Sequence, residues 1–263
     1  MLFVCCATLD EIEQVQSIGY DRIEFSARLL AERPEADIRE ARRRMDAVGL
    51  GCLNLNDYCG GAPAIVGPRY DRAAAVEYAK AVCERAAILG ARTVGIGAPM
   101  GRQLPDGYDL ARADEEARDF LAHTAEVARP YGLQILWESL NDRICNYGVH
   151  LEEAVTLVDS LALDNVGLVI DQHHMAMMAE PVSLLADAKP YIWHTHLSRL
   201  ADTQRGYLVS DERPAYLEFL RMLHALGYDR TASVEAVNGA LSEGGAPSLA
   251  LLRELWTEVT ANG

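Results

Sequence analysis

One phrase recurs along this chain and restricts the fold more than any other feature. An amphipathic stretch ends at a glycine, and within a few residues a short apolar run begins. It occurs as SIGYDRIEF at Gly19, AVGLGCLNL at Gly49, ILGARTVGI at Gly90, PYGLQILWES at Gly132 and ALGYDRTASVEAV at Gly227. The tetrapeptide GYDR appears twice, at Gly19–Arg22 and Gly227–Arg230. A glycine just past a helix accepts the left-handed conformation that turns the chain back. The apolar run after it then reads as a strand buried on both faces, as in a parallel sheet.

Eight such runs predict strands near Leu2–Cys6, Arg22–Ser26, Cys52–Leu55, Thr93–Gly97, Gln134–Glu138, Val166–Asp171, Ile192–Leu197 and Thr231–Val237. Helical spacing of apolar residues fills Arg69–Leu89, Asp109–Arg129 and Pro214–Leu226. Strands alternating with helices imply βαβ units. Eight units in 263 residues match one (β/α)8 barrel (a TIM barrel) of about 250 residues, so residues 1–263 are expected to form a single domain. An open doubly wound sheet is the alternative, but no GxGxxG follows the first strand. The longest loop-like stretches, Asn56–Pro68, Ala98–Tyr108 and Arg199–Arg213, each follow a predicted strand. In a barrel those loops build the active-site face.

Composition narrows the partners. Half of the residues are hydrophobic, enough for a real core. A net charge of −15 argues against phosphate backbones and anionic membranes as partners. The Arg42–Arg44 run sits in a helical pattern and reads as a solvated face. The six cysteines form no CxxC pair and read as reduced, mostly buried thiols of a cytoplasmic protein. The opening MLFVCCATLDEIEQ has no basic leader and too short an apolar run for a signal peptide or span. It reads as a strand followed by a helix with a Thr8–Glu11 capping box.

The chemistry concentrates at strand ends. The fifth run ends ILWE at Glu138, the sixth reads GLVIDQHHM with Asp171 and His174, and the seventh reads YIWHTHLS. In that run His194 and His196 alternate and share a face, and the eighth holds Glu235 inside TASVEAV. Singly, each residue has a bland reading: an ion-paired glutamate, a satisfied core histidine, an aspartate capping a helix. Together, at the same end of four consecutive strands, they are hard to explain by packing, because buried charges need partners or a metal. Three carboxylates with one imidazole make a hard, oxygen-rich donor set. It suits Mn²⁺, Mg²⁺ or Co²⁺ in octahedral geometry and poorly matches structural Zn²⁺.

The segments WESLN, VIDQHHM, WHTHLS and SVEAV, in this order on strands five to eight, resemble the xylose-isomerase-like barrel superfamily. The nearest branch by motif is the sugar epimerase and isomerase group that includes D-tagatose 3-epimerase and hydroxypyruvate isomerase. The resemblance implies one divalent metal, Mn²⁺ first among the three, on Glu138, Asp171, His196 and Glu235. It implies that Glu138 and Glu235 also serve as catalytic acid and base, and that His174 contacts substrate. The metal would hold a ketose carbonyl and a neighbouring hydroxyl, acidifying the carbon between them. One glutamate would remove that proton, through a metal-stabilised enediolate, and the other would return one. The expected partner is a small carbohydrate, with homodimers or homotetramers common in the group.

Two loops depart from the family pattern. The segment Glu138-Ser139-Leu140-Asn141-Asp142-Arg143 stands where the epimerases commonly have Glu-Pro-Leu-Asn-Arg with another glutamate shortly after, and that second glutamate is missing. After His196 the usual Asn-Arg pair and Pro-Gly turn are replaced by LSRLADTQRGYLVSDERP, with Arg199 and Arg205 the near candidates for substrate contact. A lyase on the same scaffold, of inosose-dehydratase or 3-keto-glycoside-eliminating type, is therefore a second reading. Endonuclease IV shares the fold but binds three zinc ions with several additional histidines, whereas of the seven here His123, His150 and His224 fall mainly in helical segments, and the acidic charge adds weight against it. A non-catalytic barrel conflicts with a complete ligand quartet. Trp137, Trp193, Tyr58 and His150 read as packing residues.

Overall fold

The computed structural model describes residues 1–201 and 203–261. Eight parallel strands close into a barrel in sequence order, β1-β2-β3-β4-β5-β6-β7-β8, with β8 pairing back onto β1. In chain order the elements are β1 (Leu2–Cys6), α1 (Ile12–Ile18), β2 (Arg22–Ser26), α2 (Ala27–Ala31) and α3 (Glu35–Val48). Then come β3 (Gly51–Asn56), α4 (Arg72–Leu89), β4 (Thr93–Ile96), α5 (Leu110–Ala128), β5 (Gln134–Glu138) and α6 (Leu151–Leu161). The chain continues through β6 (Val166–Asp171), α7 (Gln172–Met177), α8 (Leu185–Ala188), β7 (Ile192–Leu197), α9 (Arg213–Ala225), β8 (Thr231–Val234) and α10 (Leu241–Ala261).

The recurring phrase works as expected. Gly19, Gly49 and Gly90 cap α1, α3 and α4 in left-handed conformation, and Gly132 and Gly227 have positive φ as well. Helix α4 shows the logic in full. The Asp71 carboxylate accepts the N–H groups of Ala73 and Ala74 at 2.8 and 3.1 Å, a cap worth about 1 kcal/mol. Ala75, Ala79, Val82, Cys83, Ala86 and Leu89 then form one buried stripe. Gly90, at φ +83°, releases the chain toward β4. Thr8 and Glu11 form the expected capping box ahead of α1.

Five strand boundaries coincide with those read from the sequence, and three differ. β3 is longer by a residue at each end, β4 stops at Ile96, and β8 stops at Val234, which leaves Gly97 and Glu235 just beyond their strands. Arg42, Arg43 and Arg44 pair with Asp46, Glu40 and Glu13 on the outer face. All six cysteines are free thiols, and five are buried. Tyr58 and Trp137 are wholly buried, Arg230 lies 3.7 Å over the Trp193 ring, and His150 opens α6. Among the described residues no helix is long and apolar enough to cross a membrane.

Candidate metal centre

The barrel end toward which all eight strands run carries the chemistry. Glu138 ends β5, Asp171 ends β6, His196 sits one residue from the end of β7, and Glu235 follows β8. The N–H of Glu235 still reaches the Leu197 carbonyl at 2.9 Å, so the ladder holds it although the strand has ended. One donor atom from each of the four lies within 4.8 Å of the others. An octahedral cation with bonds of about 2.1 Å places its donors about 3 to 4 Å apart, so the quartet has the dimensions for one ion. His196 turns Nδ1 into this space, 3.1 Å from Glu138 Oε1, 3.2 Å from Glu235 Oε2 and 3.8 Å from Asp171 Oδ2. Gly97 completes the cradle: a Cβ there would lie 2.6 Å from Glu138 Oε2. Three carboxylates, one imidazole and a wall relieved of its side chain fit a divalent cation.

A second ring of residues fixes these donors. Asn56, at the end of β3, donates to Glu235 Oε1 at 2.6 Å. Asp171 does two jobs: Oδ1 accepts the His174 N–H at 3.1 Å and caps α7, while Oδ2 faces the quartet. His174 is buried, with its Nδ1 2.8 Å from the Asn141 amide, and Arg205 donates to its Nε2 at 3.2 Å. The Arg205 guanidinium also bonds Asp171 and Glu235. Its backbone takes a left-handed φ of +52°, and its carbonyl accepts the Val237 N–H at 2.8 Å, tying the β7 loop to the β8 loop.

The charges are mutually dependent. Burial raises the Glu138 carboxyl, and the carboxylates of Glu235 and Asp171 add to it, against the pull of His196. Burial pushes Glu235 and Asp171 upward too, but Arg205 and His196 together, joined by His174 at Asp171, outweigh it and hold both low. His196 is driven upward despite burial by Glu235 and Glu24. His174 is pushed down to about 3, mainly by burial, and is therefore neutral at physiological pH.

Of the residues expected from sequence, Glu138, Asp171, His196, Glu235, His174 and Arg205 come together. Arg199 does not. Its side chain is exposed and acts on Glu212 and Tyr216, because its N–H pairs with Gly206 and directs the side chain away from the mouth. Four residues went unread: Glu24, Asn56, Asn141 and Cys6. Glu24 had a signal, since a glutamate within the apolar run RIEF meets the same buried-charge criterion applied to strands five to eight. Arg102 was also missed. It is wholly buried, lies 4.1 Å over Trp137, and donates to the Gly97 and Glu138 carbonyls, bracing both sides of the Glu138 cradle.

The quartet opens into a cavity of about 620 Å³ at the barrel mouth. Its walls are polar on the β1–β3 side, with Thr8, Ser26, Arg28 and Asp57, and more apolar opposite, with Leu140 and Ile144.

Known proteins agree with this architecture. Inosose isomerase from Bacillus subtilis (strain 168) is 32% identical over 97 residues, which span 36% of this chain and 34% of that protein. The chain thus matches about a third of the length of that curated relative. An L-ribulose 3-epimerase structure superposes with a TM-score of 0.82 at 19% identity, covering 99% of this chain and 96% of its own. The 3-keto-D-glucoside 4-epimerase of E. coli gives a TM-score of 0.77 at 19% identity, covering 97% of this chain and 99% of its own. The profile described as xylose isomerase-like TIM barrel matches residues 12–255, nearly the whole chain. With its closed barrel and four metal-competent strand ends, the chain belongs to the xylose isomerase-like TIM barrel family.

Proposed function

We propose that this protein is a divalent-metal-dependent epimerase or isomerase of a ketose-type sugar or keto-polyol, with Mn²⁺ as its working metal. The observation that carries this reading is the convergence of Glu138, Asp171, His196 and Glu235 on one ion-sized space beside the cavity at the barrel mouth. A cation bound there supplies Lewis-acid polarisation of a substrate carbonyl and its neighbouring hydroxyl. Glu138 and Glu235 carry the protons. They leave strands three places apart around the ring, so they approach a bound substrate from different sides. One takes the proton from the carbon between carbonyl and hydroxyl, and the other returns one. Return to the same carbon from the opposite face gives an epimer; return to the adjacent carbon gives an aldose–ketose isomer.

The remaining residues position and compensate. Asn56 holds the Glu235 carboxylate in one orientation. Arg205 stands beside the quartet in the cavity wall, where its guanidinium can donate to oxygens on which negative charge develops, and His174, whose Nε2 accepts from Arg205, holds it there. The relatives named above act on an inosose, L-ribulose and a 3-keto-D-glucoside, all polyols with a carbonyl, which supports this substrate class. The test is proton exchange. With Mn²⁺ in D₂O, a panel of ketoses, inososes and 3-keto-glycosides is followed by NMR and mass. Deuterium incorporated with the carbon skeleton intact, and lost in Glu138→Gln or Glu235→Gln, is the expected result. Loss of water or an aglycone would replace this reading with a lyase, and no exchange on any substrate would remove it.

A further inference from the structure

Beneath the quartet lies a second charged group that the proposed chemistry does not use. Glu24, on β2, is wholly buried in the barrel interior. Its Oε1 is 3.3 Å from His196 Nε2, and its Oε2 is 2.9 Å from His194 Nε2 and accepts the Ser233 hydroxyl. His194 is fixed in turn by Thr231, 2.7 Å from its Nδ1. Strands β2 and β7 are not neighbours; β1 and β8 stand between them. Glu24 therefore reaches through the barrel interior to the far nitrogen of a histidine whose near nitrogen faces the metal space.

From this geometry we infer that Glu24 is the positioning residue of the metal centre: it takes the Nε2–H of His196, so that Nδ1 presents its lone pair to the cation. The inference rests on the metal reading of the quartet and adds to it a residue outside the four donors. A neutral imidazole carries one proton on one of two nitrogens, and a carboxylate can only accept. Whichever nitrogen faces Glu24 keeps the hydrogen, and the other is free to ligate. The same contact fixes the ring plane, since His196 Nε2 and Nδ1 are held on opposite sides by Glu24 and Glu138. Carboxylates behind metal-bound histidines commonly raise metal affinity about 10- to 100-fold. An alternative use of Glu24 is as a direct ligand, since Cys6, Glu24 and His196 also cluster closely. The oxygens of Glu24 are already engaged by His194, His196 and Ser233, which favours the positioning role.

The experiment compares metal binding by the full-length wild type, Glu24→Gln and Ser233→Ala, using calorimetry with Mn²⁺ and the visible spectrum of the Co²⁺ form. Melting curves of the metal-free proteins monitor folding. Wild-type protein is expected to bind one ion. Glu24→Gln should bind about 10- to 100-fold more weakly with a shifted Co²⁺ spectrum, whereas Ser233→Ala, which keeps the carboxylate, should retain both affinity and spectrum. A folded Glu24→Gln with wild-type affinity and spectrum would overturn the inference and leave the quartet standing. Failure of the wild type to bind metal would instead defeat the metal reading itself. Should Glu24→Gln not fold, nitrogen-15 NMR of wild-type protein loaded with diamagnetic Zn²⁺ decides. Nδ1 of His196 on the metal with a slowly exchanging Nε2–H is the expected state, and metallated Nε2 refutes it. A second ion per chain, lost in Cys6→Ser, would also refute it by making Glu24 a ligand.

Discussion

A methyl group at Gly97 should damage the metal centre while leaving every ligand residue unsubstituted. The Cβ of Gly97→Ala would stand 2.6 Å from Glu138 Oε2. An ordinary carbon–oxygen contact is about 3.4 Å, so the carboxylate must retreat by about 0.8 Å. It has little freedom to do so: its other oxygen lies 3.1 Å from His196 Nδ1, and its backbone carbonyl is held by Arg102 at 2.8 Å. Binding sites tolerate displacements of about 0.5 Å. Forcing the carboxylate back against the methyl costs about 1–2 kcal/mol, the range of off-rotamer and overpacking penalties. Because the ion fixes the carboxylate where metal-free protein lets it give part of the way, Mn²⁺ affinity should fall by up to about 5- to 30-fold. Calorimetric titration of metal-free protein measures it. Gly95→Ala is the control, since its Cβ would press on Val169 Cγ2 at 3.2 Å and the Leu55 carbonyl at 3.3 Å, straining the barrel wall and not the carboxylate. Equal Mn²⁺ affinity in folded Gly97→Ala and wild type would refute the placement of Glu138 in the metal space.

Three further outcomes follow from the same geometry. Mn²⁺ at about 100 times its dissociation constant should stabilise the protein by about 2.7 kcal/mol, raising the melting temperature by about 5–10 °C, and excess chelator should reverse this. Arg205→Ala removes the guanidinium from Asp171 and Glu235, which should cost about 3 kcal/mol in metal-free protein. Its melting-temperature gain on Mn²⁺ addition should therefore exceed that of wild type, and equal gains would count against the pairing. Glu212, whose carboxylate accepts the Leu200 and Ala201 N–H groups at 2.7 and 2.8 Å, is held low by those bonds and by the Tyr216 hydroxyl, against burial. A depressed carboxyl contributes stability above its ordinary pKa of about 4.3 and loses it as pH falls through the folded value. Wild type should therefore lose more stability than Glu212→Gln as pH falls below about 4, as read from denaturant midpoints.

How much of this was legible in the sequence depended on what kind of interaction fixed each residue. Strands and helices could be read because each rests on a local rule: a period, a cap, or a glycine that turns the chain. The quartet could be read because buried charge at a strand end violates those rules. Glu235 shows the limit of boundaries, since the VEAV pattern continues past the residue where β8 stops pairing. Arg199 and Arg205 show the limit for loops. Both arginines lie in the same connection, and only the backbone path decides which one turns inward. A left-handed φ at Arg205 and the Arg205 carbonyl bond to Val237 turn it in, and no periodicity encodes either.

Arg102 and Glu24 mark opposite ends of what a one-dimensional reading can reach. Arg102 is a buried cation whose partners in the structure are the carbonyls of Ile96, Gly97, Glu138 and Gly148 and the face of Trp137. Carbonyls are present at every position, so no sequence pattern distinguishes those that will converge on it. Glu24 is the reverse case. Its partners are side chains that alternate on strands: His194 and His196 on β7, Ser233 on β8. Period-two geometry already places His194 and His196 on one face, and it places Glu24 opposite Ile23 and Phe25 on its own strand. Two inward histidines on one strand and one inward carboxylate on another form a self-satisfying set once the sheet closes, because a closed barrel brings all inward faces together. Closure is therefore the step that converts separate strand patterns into a site. A carboxylate that looks unpaired in its own strand becomes, inside the barrel, the far support of a residue five strands later in the chain, positioned around the ring three places away.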